Sequence, residues 1–186
     1  MKRTFDLLLC IMLLVFLAAP MLIISIAVLV SSKGPVLYWS DRVGKNNKIF
    51  KMPKFRSMLM NTPTIATHLL DNPETYLTPI GGFLRRTSLD EIPQLFSVLI
   101  GDMSFVGPRP ALFNQKDLID LRKEKGINNL LPGVTGWAQV NGRDDLSIPD
   151  KVALDLEYLN RKSFWFDIKI LWMTILSIAK NEGVSH

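Results

Sequence analysis

Cysteine and histidine are nearly absent from this 186-residue chain, which has one cysteine, Cys10, and two histidines, His68 and the terminal His186. A single cysteine excludes an intramolecular disulfide and a thiolate metal cluster. Two histidines exclude a histidine-rich centre, so any metal must be a hard, oxygen-liganded cation such as Mg2+. Net negative charge is lacking too. Lys and Arg number 22 against 17 Asp and Glu, and the resulting +5 suits an acidic membrane surface or an anionic substrate. No recognisable nucleic-acid module accompanies that charge, so nucleic acid is not an expected partner. The length allows one domain, or one domain with an appendage. Apolar surface is what the chain has in excess. A hydrophobic content of 48% and a mean hydropathy of +0.20 are high for a soluble domain and point to a membrane part.

That excess is concentrated in residues 5–30, broken only by Asp6, Ser25 and Ala19-Pro20. The run is longer than the core of a secretory signal, and no small-residue cleavage site closes it. About 20 apolar residues cross a bilayer core, so a membrane helix is expected. Pro20 cannot donate an intrahelical hydrogen bond and clashes with the preceding turn, which predicts a kink. Basic residues lie on both sides, Lys2 and Arg3 before and Lys33, Arg42, Lys45 and Lys48 after. This suits a hairpin with both ends cytoplasmic as well as a spanning helix, and the residues alone leave both open.

The most informative stretch is Thr87-Ser88-Leu89-Asp90-Glu91-Ile92-Pro93-Gln94-Leu95. Ser88 with Glu91 three residues later has the form of a capping box, which predicts a helix starting there. Ile92, Leu95, Phe96, Leu99 and Ile100 would form its apolar stripe, ending at Gly101. Asp90 and Glu91 then sit in the first turn, where the helix dipole favours acids. Arg85 and Arg86 stand upstream and Gly107-Pro108-Arg109-Pro110 downstream. Two acids between arginines can hold a phosphate together with a divalent cation.

Elsewhere the pattern predicts two short strands around a turn at Gly44-Lys45-Asn46-Asn47, with Lys54-Phe55-Arg56 at the end of the second. Residues 61–78 read as a polar surface loop with at most one short helix, and His68 as exposed. The prolines flanking Arg109 stiffen its turn, which serves either structure or presentation of the guanidinium. Residues 114–126 read as a charged peripheral helix. Residues 131–143 carry three glycines and end at Arg143, forming either a phosphate-approaching loop or a small β-hairpin. Residues 149–160 read as a helix with Val152, Leu156 and Leu159 on one side. Residues 164–180 read as an interfacial helix with Trp165 and Trp172 as anchors. Asp167 either caps that helix or supports an arginine in the site.

Lys54-Phe55-Arg56, Ser88-Leu89-Asp90-Glu91-Ile92-Pro93-Gln94-Leu95, Gly101-Asp102-Met103-Ser104-Phe105-Val106-Gly107-Pro108-Arg109-Pro110, Pro132-Gly133-Val134-Thr135-Gly136 and Gln139-Val140-Asn141-Gly142-Arg143 occur in this order. Together they resemble the bacterial sugar transferase family, the monotopic polyprenol-phosphate phosphoglycosyl transferases, in the minimal catalytic-domain form. The resemblance implies a mixed α+β, helix-rich (α/β) fold in one small membrane-associated catalytic domain. Residues 1–31 would be a re-entrant helix-break-helix, and residues 32–186 a catalytic domain with interfacial amphipathic helices on the cytoplasmic face of the bacterial inner membrane. It implies transfer of a phospho-sugar from a UDP-sugar to undecaprenyl phosphate with release of UMP, using Mg2+. Asp90 would be the nucleophile and a Mg2+ ligand, assisted by Glu91. Lys54, Arg85, Arg109 and Arg143 would bind phosphates and nucleotide, and Asp167 would be an acidic site residue. Ala19 and Pro53 depart from the family pattern, which usually has Ser before the helix proline and a strand residue with an N–H before the lysine. The rival readings are a membrane-bound phosphohydrolase of nucleotide diphosphates and a non-catalytic membrane scaffold. An N-acetylated hexose is the expected sugar, with a plain hexose as alternative.

Overall fold

The computed structural model describes residues 1–63, 71–142 and 145–179. Among these the fold is mixed α+β and dominated by helices. The order is α1 (Lys2–Ser31), β1 (Leu37–Val43), β2 (Ile49–Phe55), α2 (Gly81–Arg86), α3 (Gln94–Ile100), β3 (Ser104–Val106), α4 (Lys116–Glu124), β4 (Gly133–Thr135), α5 (Trp137–Val140), α6 (Ile148–Arg161) and α7 (Phe164–Ala179). β1 and β2 form an antiparallel hairpin in which Tyr38 faces Lys54 and Trp39 faces Pro53. Such a two-stranded ribbon has only edge strands, which is where a proline is tolerated. The expected hairpin is present, with both strands longer than the sequence pattern indicated.

Helix α1 is 30 residues long and has Pro20 inside it. At about 1.5 Å per residue it measures about 45 Å, more than a bilayer core is thick. Ser25 donates to the Met21 carbonyl at 2.7 Å, so it does not reach Phe16, the carbonyl that Pro20 leaves without its helical donor. One stripe of α1 packs on the domain. Cys10 joins the core formed by Met52, Leu95, Val98, Met103, Phe105, Tyr158, Phe166 and Ile170, and Ile24 and Val28 pack with Phe55 and Leu84. The remaining faces, including Leu8, Ile11, Val15, Phe16, Ile23 and Val30, are exposed.

Both ends of α1 are tied to the same domain. At its start Lys2 bonds the Val106 carbonyl, the Tyr158 hydroxyl and Asp167, while Arg3 donates to the carbonyls of Val98 and Leu99. The buried Asp6 accepts from the Ser104 hydroxyl at 2.8 Å and the Phe105 N–H at 3.3 Å. At its exit the buried Arg56 donates to the carbonyls of Ser32, Lys33 and Gly34. These carbonyls belong to the C-cap residue Ser32 and to the two residues that follow it.

The helix expected from Ser88 does not form as one piece. Ser88 adopts a left-handed conformation (φ 54°) and makes no side-chain cap. A 3-10 turn covers Leu89–Glu91, and α3 begins only at Gln94, after Pro93. The apolar stripe is also different. The buried face of α3 is Gln94, Leu95, Ser97 and Val98, whereas Phe96, Leu99 and Ile100 are exposed, Ile100 by 71%. These side chains share their exposure with most of α1 and with Trp165, Trp172 and Ile175 of α7, so apolar side chains face outward on three helices. The sequence criterion assumed that water lay on the other side.

The described residues of this stretch, 131–142, form no hairpin. β4 pairs in parallel with β3, and α5 follows directly. The glycines here serve backbone contact. A Cβ at Gly133 would lie 2.2 Å from the Gly107 nitrogen, and one at Gly136 would lie 2.1 Å from the Gly107 oxygen. The expected helices at residues 114–126, 149–160 and 164–180 are present as α4, α6 and α7. Ser147 caps α6, accepting from the Asp150 N–H. His68 and the middle of the polar loop lie outside the described residues, and a 3-10 turn, Pro73–Tyr76, is the helical piece described there.

Candidate active site

The 3-10 turn at Leu89–Glu91 points its two carboxylates into different environments. Leu89 and Ile92 on either side of them pack against the cluster of Ile24, Val28, Phe55 and Leu84, so the acids sit beside the membrane-type helix. Asp90 is 8% exposed and accepts no hydrogen bond from a described residue. Burial pushes its carboxyl above the ordinary aspartate range. Lys54 opposes this, and the neighbouring Glu91 charge adds to it.

Glu91 is held the other way. Its Oε1 accepts from Lys54 Nζ at 2.7 Å and from Arg109 Nη2 at 2.9 Å. Burial alone would raise its carboxyl, but Arg109 and Lys54 hold it well below the usual glutamate range. The capping-box role is therefore overturned for a physical reason. Two charge-assisted bonds on a half-buried carboxylate outweigh one bond to a backbone N–H. Two adjacent acids thus sit in opposed environments, one raised and one lowered.

The cations come from three separate elements: Lys54 from β2, Arg85 from α2, and Arg109 from the turn after β3. Arg85 lies close enough to favour ionised Asp90, and its Nη1 also contacts the Met58 sulfur at 3.2 Å. Lys54 and Arg109 meet at Glu91, 37 and 18 residues away in sequence. Pro53 does not misplace Lys54, which makes the shortest of these contacts.

Residues 1–181 match the profile of a family described as bacterial sugar transferase. The chain belongs to that family. It is 41% identical over 187 residues to an undecaprenyl-phosphate glucose phosphotransferase of Komagataeibacter xylinus, covering 94% of this chain and 35% of that protein. It is 37% identical over 201 residues to an undecaprenyl-phosphate galactose phosphotransferase of Salmonella typhimurium, covering 98% of this chain and 41% of that protein. An uncharacterized sugar transferase of Bacillus subtilis is 38% identical over 186 residues, matched over 100% of this chain and 91% of its own length. The chain thus spans well under half of the first two relatives.

In this sugar transferase Asp167 stands apart from the carboxylate pair. Its oxygens accept from Tyr158 at 2.7 Å and Lys2 at 2.5 Å, and none of these bonds reaches Lys54 or Arg109. Nor does it cap α7, since Ser163 Oγ accepts the Phe166 N–H there. Burial and the hydrogen bond to Asp167 push the Tyr158 hydroxyl above the usual tyrosine range, so it stays a donor. Arg143 lies outside the described residues. Three or more His, Cys, Asp or Glu side chains do not cluster as a metal cage among the described residues. A Mg2+ site needs less, because one carboxylate with diphosphate oxygens and water suffices. Asp90, with no hydrogen bond from a described residue, fits that donor set, whereas Glu91 Oε1 is taken by two cations.

Arg42, Arg122 and Asp155 were missed as structural partners of the site. Nothing local announces the Arg122–Asp155 pair, which joins residues 33 apart.

Proposed function

We propose that this protein transfers a hexose 1-phosphate unit from a UDP-sugar to undecaprenyl phosphate at a membrane surface. One observation carries the reading. A buried carboxylate without a hydrogen bond from a described residue, Asp90, adjoins a carboxylate neutralised by Lys54 and Arg109, and both lie against an apolar 30-residue helix. The names of the relatives support the same chemistry.

In the first half-reaction a carboxylate oxygen of Asp90 attacks the sugar-bearing phosphorus of the donor. The bond from that phosphorus to the bridging oxygen breaks, and UMP departs. In the second, an oxygen of undecaprenyl phosphate attacks the same phosphorus. The aspartyl–phosphate bond breaks, giving the undecaprenyl diphosphate sugar and restoring the Asp90 carboxylate. Asp90 accepts no hydrogen bond from a described residue, which leaves its lone pairs available for attack. Arg109 and Lys54, held by Glu91 before substrate arrives, can receive phosphate oxygens without further ordering. Arg85 adds positive potential on the Asp90 side, and Arg143, by its motif, joins these cations in binding the phosphates and the nucleotide. Mg2+, held by Asp90 and the diphosphate, would supply charge neutralisation for the departing UMP.

The membrane geometry we propose is re-entrant, with the domain on the cytoplasmic face of the inner membrane. The ties of Lys2, Arg3 and Asp6 at one end and of Arg56 at the other support it. A helix that crossed the bilayer would have to carry one set of these polar partners to the far side. A bend at Pro20, which lies inside the 30-residue helix, would complete that reading.

The test is UMP release by purified protein with Mg2+ from UDP-glucose, UDP-galactose and their N-acetylated counterparts, with and without undecaprenyl phosphate. Release that requires the lipid and disappears in Asp90→Asn supports the transferase and identifies the sugar. Steady release without lipid makes the protein a phosphohydrolase, and silence on a wider donor set makes it a scaffold.

A further inference from the structure

Pro108 and Pro110 have no N–H, so two of the four residues in the turn that presents Arg109 can be fixed through their backbone only at the carbonyl. All four carbonyls from Pro108 to Ala111 are engaged. The outer two accept from backbone, Pro108 from the Gly133 N–H and Ala111 from the Val43 N–H, both at 2.9 Å. The inner two accept from arginine side chains. Arg122 Nη1 donates to the Arg109 carbonyl at 2.8 Å, and Arg42 Nη1 donates to the Pro110 carbonyl at 3.2 Å.

Both arginines are themselves anchored. Arg122 Nε and Nη2 bind Asp155 Oδ2 at 2.9 and 2.6 Å, with side chains 12% and 1% exposed. Arg42 Nε donates to the buried Ser40 hydroxyl at 2.9 Å, and its residue bridges Leu112. Burial and the nearby Arg109 charge lower Arg42 to about 10, so it remains a cation at neutral pH. Directing a partly buried arginine at a neutral carbonyl carries a desolvation cost, which holding that carbonyl in place would offset. Here the carbonyls belong to the residue that reaches Glu91 and to its successor.

We propose that Arg42 and Arg122, the latter through Asp155, are positioning residues that act on the reaction by fixing the Arg109 guanidinium for the donor diphosphate. The inference rests on the phosphotransfer reading of the site. Neither residue touches the carboxylate pair through any of these bonds, and each acts through the Arg109 turn.

The test is a double-mutant cycle in the purified full chain. Arg42→Met removes one clamp, and Arg122→Met with Asp155→Leu removes the other without leaving a buried charge alone. Each is made with Arg109 intact and with Arg109→Met, after thermal melts select the variants that remain folded. With Arg109 present, each loss should lower kcat/KM for the UDP-sugar about tenfold or more, and Arg42→Lys should recover part of it. In the Arg109→Met background the same changes should cost less than about twofold, because the residue they serve is gone. Equal losses in both backgrounds overturn the proposal. If the wild type releases no UMP from any donor, the functional reading fails separately. The positional claim is then read from the Arg109 guanidinium resonance in 15N-arginine-labelled protein. A restrained side chain in the wild type that becomes mobile in both variants supports the clamp, and an unchanged signal overturns it.

Discussion

Replacing Asp90 by Asn and Glu91 by Gln should move the stability of this sugar transferase in opposite directions. Asp90 is 8% exposed, and ionising it carries a desolvation cost that Lys54 only partly offsets. An amide of the same shape removes that cost. A gain of about 1 kcal/mol is ordinary for relieving such a functional strain, and for a chain of this size it raises Tm by about 2–4 °C. Glu91 is the reverse, with contacts of 2.7 Å to Lys54 and 2.9 Å to Arg109. At an effective dielectric of about 20 each contact is worth about 6 kcal/mol before desolvation. Desolvation consumes much of this, and Arg109, 35% exposed, is further discounted for solvent screening. Glu91→Gln leaves two cations without their shared partner at a net loss of about 2–4 kcal/mol, or about 4–16 °C.

The two effects also depend on pH with opposite sign. Asp90 is raised in the folded state, so its ionised form destabilises the fold as pH rises through that raised value. The advantage of Asp90→Asn is therefore largest at pH 7–8 and fades toward about pH 4. Glu91 is lowered, so its stabilisation is complete above about pH 4.3 and is lost as pH falls through its folded-state value. Tryptophan-fluorescence melts in nanodiscs between pH 4 and 8 measure both. An Asp90→Asn variant less stable than wild type at pH 7.5, or a Glu91→Gln variant equal to it, refutes the assignment of the two environments.

Arg56→Met frees the carbonyls of Ser32, Lys33 and Gly34 and should lower Tm by about 5 °C or more in the same melts. Gly133→Ala places a Cβ 2.2 Å from the Gly107 nitrogen and should prevent β3 and β4 from pairing, read as loss of soluble folded protein in detergent. Gly82→Ala, whose Cβ meets only a Leu77 methyl at 3.7 Å, should be neutral. In single-tryptophan variants, lipids brominated on the acyl chain should quench Trp172, which is 61% exposed on α7. They should leave Trp137, which packs on Phe166 and donates to Glu157, largely unquenched.

Signals that are local in sequence carried much of this protein. The apolar run of residues 5–30, the hairpin around Gly44-Lys45-Asn46-Asn47 and the helices α4, α6 and α7 depend on composition and periodicity within a window of a few turns, and each was legible. The adjacent acids Asp90 and Glu91 and the stiff turn at Arg109 were legible as chemistry. Tertiary structure alone decided which acid is paired with cations and which is left without a hydrogen bond from a described residue. Ser88 went left-handed and Glu91 turned from a cap toward Lys54 and Arg109, because pairing a desolvated charge outweighs a local backbone bond. Likewise α3 exposes Phe96 and Ile100 where an amphipathic rule would bury them, on a surface shared with the outward faces of α1 and α7. The glycines of residues 133 and 136 pack on Gly107, and Arg122 finds Asp155 only once α4 and α6 meet. Such contacts join residues tens of positions apart, and no periodicity along the chain records them.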